Sequence, residues 1–393
     1  MAVVTVVLLV PVLFGAAAIS VDVGNLLWER RQLQNGADAT AMAAAAKCAE
    51  SPTTCNPNIS AGGVLDTLDN RNANDNVSTI TSVCGNATAQ SMSAALTLCT
   101  GTGSNGVADC PPVPSGLPAN TPYLEVRTRS KTTSGSSTLT NFFARTLNGG
   151  ISQSSVAACS RAGWGGASPT AANVLPIVMS YCDWAAATGY TGPGTATYPT
   201  SPDYSTYPST GYGSGSPWQA SWERKVWTAG NPSTCPTWNG HTAPGGFAAL
   251  DSTTSCSVPS TQNAWYHGNT GNNAPCDPTI FAGLKNTIVY LPVFDCLTNA
   301  PTTITAATNC NSGSGNNTYY HVSGYAAFYL TGWYFSSNAM ASQVTGTVPC
   351  TGGDRCMSGW FLKDLVSSSD LNSLINPPTG TPNFGLTQVT QLG

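Results

Sequence analysis

Charge is what this sequence has least of. Lys, Arg, Asp and Glu together make up 8% of its 393 residues, against about a quarter in an ordinary soluble domain. Fourteen Lys and Arg against eighteen Asp and Glu leave a net charge of −4. No run of basic residues forms a stripe that could neutralise phosphates, so no nucleic acid partner is expected. Histidine is scarcer still, limited to His241, His267 and His321. Neither G-x-S-x-G nor H-E-x-x-H occurs, and no C-x-x-C supplies the paired spacing of a structural zinc site. These absences argue against an enzyme, and no cofactor or metal is called for. Solubility must come from Ser, Thr and Asn.

Cysteine, by contrast, is abundant. Cys48, Cys55, Cys84, Cys99, Cys110, Cys159, Cys182, Cys235, Cys256, Cys276, Cys296, Cys310, Cys350 and Cys356 form an even set, and none lies in the apolar N-terminal segment. This placement implies disulfides formed in an oxidising space outside a membrane. Each would stabilise by about 2 to 4 kcal/mol, mainly by restricting the unfolded chain. Proximity alone points to Cys48 with Cys55, Cys350 with Cys356, and two of Cys84, Cys99 and Cys110; the full connectivity stays open.

Residues 1–21, MAVVTVVLLVPVLFGAAAISV, carry no charge and no polar side chain except Thr5 and Ser20. As a helix they would measure about 31 Å, which matches the roughly 30 Å hydrocarbon core of a bilayer. A cleaved secretory signal would need a positive n-region, and no positive charge precedes the run. Pro11 should bend the helix, while Gly15 and Ala16 to Ala18 leave a face where another helix could approach closely. Beyond Asp22, Val23, Leu26, Leu33, Ala37 and Ala41 recur at three- and four-residue steps between Glu29, Arg30, Arg31, Gln34 and Asp38, an amphipathic pattern. These five apolar residues are the expected spine of a head domain. Only the isolated Gly24 resembles a break, so the simplest expectation is one helix to about Lys47, some 70 Å long.

From Cys48 to about Trp164 the pattern is mixed. LEVRTRSKT alternates as an exposed strand, STLTNFFARTLNGG reads as a short capped helix ending at Gly149 and Gly150, and SQSSVAACSRAGW reads as another strand. Later segments, NVLPIVMSYCDW, NTIVYLPVFDCL, YYHVSGYAAFYLTGWYF and CMSGWFLKDLV, are rich in β-branched and aromatic residues and predict a β-rich domain. Between them lies a Gly, Pro, Ser, Thr and Tyr tract near residues 187–218, with Tyr190, Tyr198, Tyr204, Tyr207 and Tyr212, that reads as a long surface loop.

Three motifs have a blander reading that fits better. GTGSNG, 101–106, fits G-x-G-x-x-G but sits between Cys99 and Cys110 rather than between strand and helix. Asp251, Thr253 and Ser255 could hold a divalent cation, yet the sequence ahead of them makes a poor central strand. Asp66, Asp69 and Asp75 lack calcium-loop spacing. All three are expected to be polar loops or turns.

The order of the N-terminal features is distinctive. An apolar span with a central LVPVLFG, followed by SVDVGNLLWERRQLQNGADATAMAAA, resembles the N-terminal domain of the TadE/TadG-like family of Flp (tight-adherence) pilus-assembly proteins. Asp22, Gly24, Arg30, Arg31, Leu33, Gln34, Ala37, Asp38 and Ala43 to Ala46 take the family's places, with Gly36 as a departure. The segment NFFARTLNGGISQSSVAACSRAGWGG carries a weaker resemblance. The likeness implies a type IV pilin-like plan, with Val3, Val6, Leu9, Pro11, Leu13, Phe14, Ala17 and Val21 forming a helix for the membrane and then for a filament core. Type IV pilins carry a glutamate at the fifth mature position; with Met1 as the mature start, Thr5 stands there.

The expected fold class is α+β: a long N-terminal pilin-like helix with an apolar N-terminal half (1–47), an α/β head (48–165), and a disulfide-rich β domain (166–393). The implied function is a structural subunit of an extracellular pilus-like filament. A tip or surface adhesin and a membrane-anchored assembly component are the alternatives. Implied partners are copies of the chain in a helical homo-oligomer, the pilus-assembly machinery, a prepilin-type peptidase and, before assembly, the membrane.

Overall fold

The computed structural model describes residues 2–50, 55, 57, 59–73, 77–99, 110–117, 120–132, 134–146, 152–167, 174–192, 195–199, 223–227, 237–238, 241–242, 247–250, 256–258, 263–269, 278–299, 318–335, 338–352, 355–367, 374–375 and 384–393, with 2–14 as backbone only. The chain is α+β and divides into two compact units. The first comprises Met1–Gly165, Ser367–Asn376 and Gln388–Gly393, the second Gly166–Val366 and Pro377–Thr387. The C-terminal end, expected wholly in the β domain, therefore returns to the first unit.

Helix α1, Ala2–Glu50, runs unbroken for 49 residues. Its backbone stays helical through Gly24, which stands in open space. The side chains of Val3, Val6, Leu9, Pro11, Leu13 and Phe14, and with them most of the expected membrane span, lie outside the described residues. Among the described residues no helix is long and apolar enough to cross a membrane. Further along, Asp22, Glu29, Leu33, Ala37, Ala41, Ala44 and Cys48 are buried at steps of seven, four or three residues, with Ala45 beside Ala44, one stripe of a 3.6-residue helix. Alanine dominates that stripe because a methyl side chain lets the helix backbone close on a sheet. Leu33, 1% exposed, contributes about 2 kcal/mol of apolar burial.

The first unit continues through α2 (Val64–Asn72), β1 (Ser78–Gly85), α3 (Ala87–Met92), β2 (Thr97–Leu98), β3 (Tyr123–Ser130), β4 (Leu139–Thr140), β5 (Gln153–Ser154) and β6 (Ala157–Ala167). Strand β3 lies antiparallel between β1 and β6, and β2 runs parallel to β1. Ile80, Val83, Leu124, Val126, Ala162 and Trp164 pack with Ala41, Ala44 and Ala45 of α1 in one core. Two sequence expectations change here. LEVRTRSKT is an interior strand rather than an exposed one, since Glu125 and Arg127 are buried along with Leu124 and Val126. The helix expected in STLTNFFARTLNGG is strand β4 and a single 3-10 turn, Ala144–Thr146, while Gly149 and Gly150 lie outside the described residues.

The second unit contains β7 (Ile177–Ser180), α4 (Tyr181–Thr188), β8 (Arg224–Trp227), β9 (Thr237–Trp238), β10 (His241–Thr242), β11 (Phe247–Leu250), β12 (Ala264–Asn269), α5 (Pro278–Ala282), β13 (Ile288–Thr298), β14 (Tyr319–Phe335), β15 (Asn338–Met340), β16 (Arg355–Leu362) and β17 (Asp364–Ser367); β18 (Leu374–Ile375) and β19 (Leu386–Gln391) follow. Its main sheet has the order β12, β11, β7, β13, β14, β16, β8. Because β12 pairs with both β11 and β14, five of these strands close into a ring. Strand β14 is buried on both faces. Ala326, Phe328 and Leu330 join a core with Tyr181 and Trp184 of α4 and Phe281 of α5, while Tyr325, Ala327 and Tyr329 join a second core with Val174 and Leu386. Double burial explains why its sequence is a near-continuous apolar run instead of an alternation. Helix α4 starts where Ser180 Oγ accepts from the Cys182 amide at 3.0 Å and stops at Gly189, whose left-handed backbone (φ 68°) caps it.

Four disulfides are formed between described cysteines: Cys48–Cys55, Cys84–Cys99, Cys110–Cys159 and Cys350–Cys356. Cys182, Cys256 and Cys296 are also disulfide-bonded, and Cys235, Cys276 and Cys310 lie outside the described residues.

Strands β14 and β16 meet so closely at Gly359 that a Cβ there would collide with the Tyr329 carbonyl oxygen and press on the Phe328 ring. Gly359→Ala is therefore expected to cost about 3 kcal/mol, in the range of backbone strain plus overpacking, read as a lower melting temperature by calorimetry. An unchanged melting temperature would contradict this packing.

Candidate functional site

The chemistry of the first unit gathers where α1 meets the sheet. Asp22 is a carboxylate on a helix that is otherwise apolar at that level, and it is 6% exposed. One oxygen, Oδ1, accepts from the Phe142 amide at 2.9 Å; the other, Oδ2, accepts from Phe143 at 2.9 Å and Ala144 at 2.6 Å. These amides open the 3-10 turn Ala144–Thr146, where the first N–H groups have no partner inside the turn. A helix start is usually capped by the residue just before it. Here the cap comes from a different element, about 120 residues earlier. Burial pushes the Asp22 carboxyl up, but the hydrogen bonds from Ala144, Phe143 and Phe142, with the Arg145 charge, outweigh it and hold the group below the ordinary carboxylate value.

Further contacts fasten the helix beyond Asp22. Gln34 Nε2 donates to the Cys159 carbonyl on β6 at 3.1 Å and to Asp38 Oδ1 at 2.7 Å, and Thr128 Oγ1 on β3 donates to the Leu33 carbonyl at 3.2 Å. Gly36 then explains itself. A Cβ at that position would collide with Asp69 Oδ1 and come 3.0 Å from the Asp69 carbonyl oxygen, so the missing side chain is the space that the Asp69 carboxylate occupies. Asp69 is fully buried; Oδ2 accepts from Ser78 Oγ at 2.5 Å, and Oδ1 has no hydrogen-bond partner among the described residues. Burial pushes its carboxyl up to about 6, against the Ser78 hydrogen bond and with the neighbouring Asp66 charge adding to the rise.

Beneath the helix, the polar residues of β3 are paired. Arg161 donates from Nε and Nη2 to Glu125 Oε1 at 3.1 and 2.6 Å, Arg127 Nη2 reaches Glu125 Oε2 at 3.3 Å, and Arg161 Nη1 donates to the Pro111 carbonyl at 2.7 Å. Buried charges persist only when paired in this way. The Cys84, Cys99, Cys110 and Cys159 sulfurs lie close to Glu125, but they are bonded in pairs and offer no thiolate to a metal. The cluster is structural.

Residues 1–47 match the family model described as putative Flp pilus-assembly TadE/G-like. The N-terminal helix is TadE/G-like. The match covers α1 to within a turn of its end. No curated protein and no solved structure matches the chain.

Within the TadE/G-like helix, Leu33, Ala37 and Ala41 are buried and Leu26 is half-buried, whereas Val23 at 47% and Val21 at 49% are exposed, as is Ala17. The buried stripe runs through Asp22 and Glu29 instead of Val23. The weaker resemblance, in NFFART, is the segment that Asp22 caps. Asp66 and Asp69 stand on α2, not in a loop, and Asp75 lies outside the described residues. So do GTGSNG, the Asp251, Thr253 and Ser255 segment, and Tyr204, Tyr207 and Tyr212. Tyr190 is buried against Tyr181 and Trp184, and Tyr198 packs on the same core. A histidine and a carboxylate do converge: His321 Nδ1 lies 2.6 Å from Asp295 Oδ1, beside the Trp265 ring. The register partner of His321 on β13, Cys296, is disulfide-bonded and is not a free thiol.

Two titrations check this geometry. The depressed Asp22 carboxyl contributes stability that is present above its unfolded pKa and lost as pH falls through its lower folded value. Protection of the Phe142, Phe143 and Ala144 amides, their exchange rate relative to an unprotected amide at the same pH, is expected to fall at acid pH, and at neutral pH in Asp22→Ala; unchanged protection in that variant would remove the cap from the account. Asp69 has the opposite sign. Its folded pKa is raised, so stability declines as pH rises from about 4 to about 6, by roughly 2 to 3 kcal/mol for a shift of this size. Asp69→Asn should flatten that slope, and a slope that survives the substitution would assign it elsewhere.

Proposed function

We propose that the chain is a structural subunit of an extracellular pilus-like filament. Residues 1–21 hold it in a membrane before assembly and then pack, copy against copy, in the filament core. The observation that carries this reading is the unbroken helix from Ala2 to Glu50, TadE/G-like over residues 1–47 and clamped to its own head at Asp22. A hinge at Gly24 would let heads pivot about the core; a clamped helix holds each head at a fixed angle to it. Membrane and filament core are both dry, and a helix satisfies its own backbone in either.

The disulfides of both units suit a protein that works outside the cell, and the reading assigns a structural role with no catalysis. Its partners are further copies of the chain, the pilus-assembly machinery and a prepilin-type peptidase. Electron microscopy of sheared surface filaments, with mass identification of their protein, tests it. The chain is expected as the repeated component; recovery only from membrane fractions would overturn the subunit role and favour a permanently anchored assembly component.

A further inference from the structure

The face of α1 opposite the docking stripe is apolar and uncovered. Val21, Val23, Leu27 (55% exposed) and Trp28 (53%) lie on it, Gly24 opens onto empty space, and one turn before Asp22 Ile19 (48%) is exposed too. Ser20, also exposed, donates its hydroxyl to the Ala16 carbonyl at 2.8 Å, which removes its demand for water. Asn25 is the one exposed amide. Two charges fall in this stretch, Asp22 and Glu29, and both are buried on the head side. The first charges on the uncovered face are Arg30 and Arg31, both exposed. Hiding Asp22 thus moves the end of the apolar surface from Val21 to Trp28, about 10 Å further along the helix.

The turn capped by Asp22 extends this surface sideways. Phe142 and Phe143, whose amides bind the Asp22 carboxylate, are 59% and 44% exposed, and the next charge, Arg145, is exposed as well. Phe142, Phe143 and Arg145 therefore stand at the level of Asp22, and Trp28, Arg30 and Arg31 follow within about 14 Å along the helix axis, so the aromatic and basic side chains share one band at the end of an uncharged helical run. Such a combination suits the boundary of a lipid bilayer, where amphipathic rings sit at headgroup depth and each cation near an anionic surface gains about 1 kcal/mol. A second copy docking face to face would set Arg30 and Arg31 against their equivalents with no exposed acid between residues 15 and 31 to answer them, which like-charge repulsion opposes.

We propose that Trp28, Phe142 and Phe143 form a membrane-interface anchor, seating the underside of the first unit on a bilayer with Arg30, Arg31 and Arg145 against anionic phospholipid headgroups. This rests on the reading that the chain is held in a membrane before assembly. The turn that Asp22 orders is then a lipid-contacting element, and Asp22 sets its depth by tying it to the helix.

The test places the photoreactive amino acid p-benzoylphenylalanine singly at Trp28, Phe142, Phe143 or, as a control, Val113, which is 40% exposed in the same unit. Each full-length chain is reconstituted in vesicles of phosphatidylcholine, alone or mixed with phosphatidylglycerol, irradiated and weighed. Lipid adducts are expected at positions 28, 142 and 143 and not at 113. The R30Q/R31Q double variant should lower the yield at position 142 about threefold or more in the anionic vesicles alone. Adducts to a second copy of the chain, or equal lipid labelling at 113 and 142, would overturn the anchor while leaving the membrane-held precursor intact. A chain that fails to float with either vesicle would overturn that precursor reading itself, and the anchor with it.

Discussion

Everything in the first unit depends on how one face of α1 is buried. The stripe begins at Asp22, a carboxylate that accepts three amides of a distant turn, and continues through Leu33, Ala37, Ala41 and Ala45 onto the sheet. Small residues let the helix lie close, so backbone and side-chain hydrogen bonds can cross between helix and sheet at Leu33 and Gln34. The consequence is a helix whose rotation about its own axis is fixed. With that rotation fixed, the uncovered apolar face from Val21 to Trp28 also points in one set direction, and a filament or membrane role has a geometry to act through.

The second unit is held by different means. Its long strand β14 is buried on both faces, with an apolar core on each side. Several polar side chains inside it are paired with one another, as where Thr331 and Ser342 donate to Glu223 and Tyr290 to Asp364. Disulfides occur in both units, which fits a chain poor in charge and rich in loops: cross-links restrict the unfolded state where surface ion pairs are too few to help.

Much of this was legible in the residues. The three- and four-residue spacing after Asp22 reads as a helix, and the aromatic and β-branched runs of β13, β14 and β16 read as strands. Cysteines a few residues apart, such as Cys48 and Cys55, bond as proximity indicates. What was not legible depends on partners far away in sequence. Residues 19 to 28 are apolar nearly all round the helix, so periodicity cannot say which side is covered, and Val23 looked as good a spine residue as Leu33. The covered side is instead marked by Asp22 and Glu29, polar residues whose burial makes sense only once Phe142 to Ala144 are brought against Asp22. In the same way LEVRTRSKT alternates like an exposed strand because the Arg161 that neutralises Glu125 lies on another strand. Gly36, a plain departure from the family pattern, is accounted for by Asp69 on α2, which no local rule would have paired with it.

The central claim is a continuous helix whose apolar half cannot swing relative to the head. Nitroxide-bearing amino acids at Ala17 and Lys47, both exposed on α1, with pulsed electron-spin distance measurement on the full chain in vesicles, test it most directly. A straight helix places the two backbone positions about 45 Å apart at 1.5 Å per residue, so the account predicts a single narrow peak near that distance. A broad distribution, or a peak many ångströms shorter, would show a break between the two labels and contradict it.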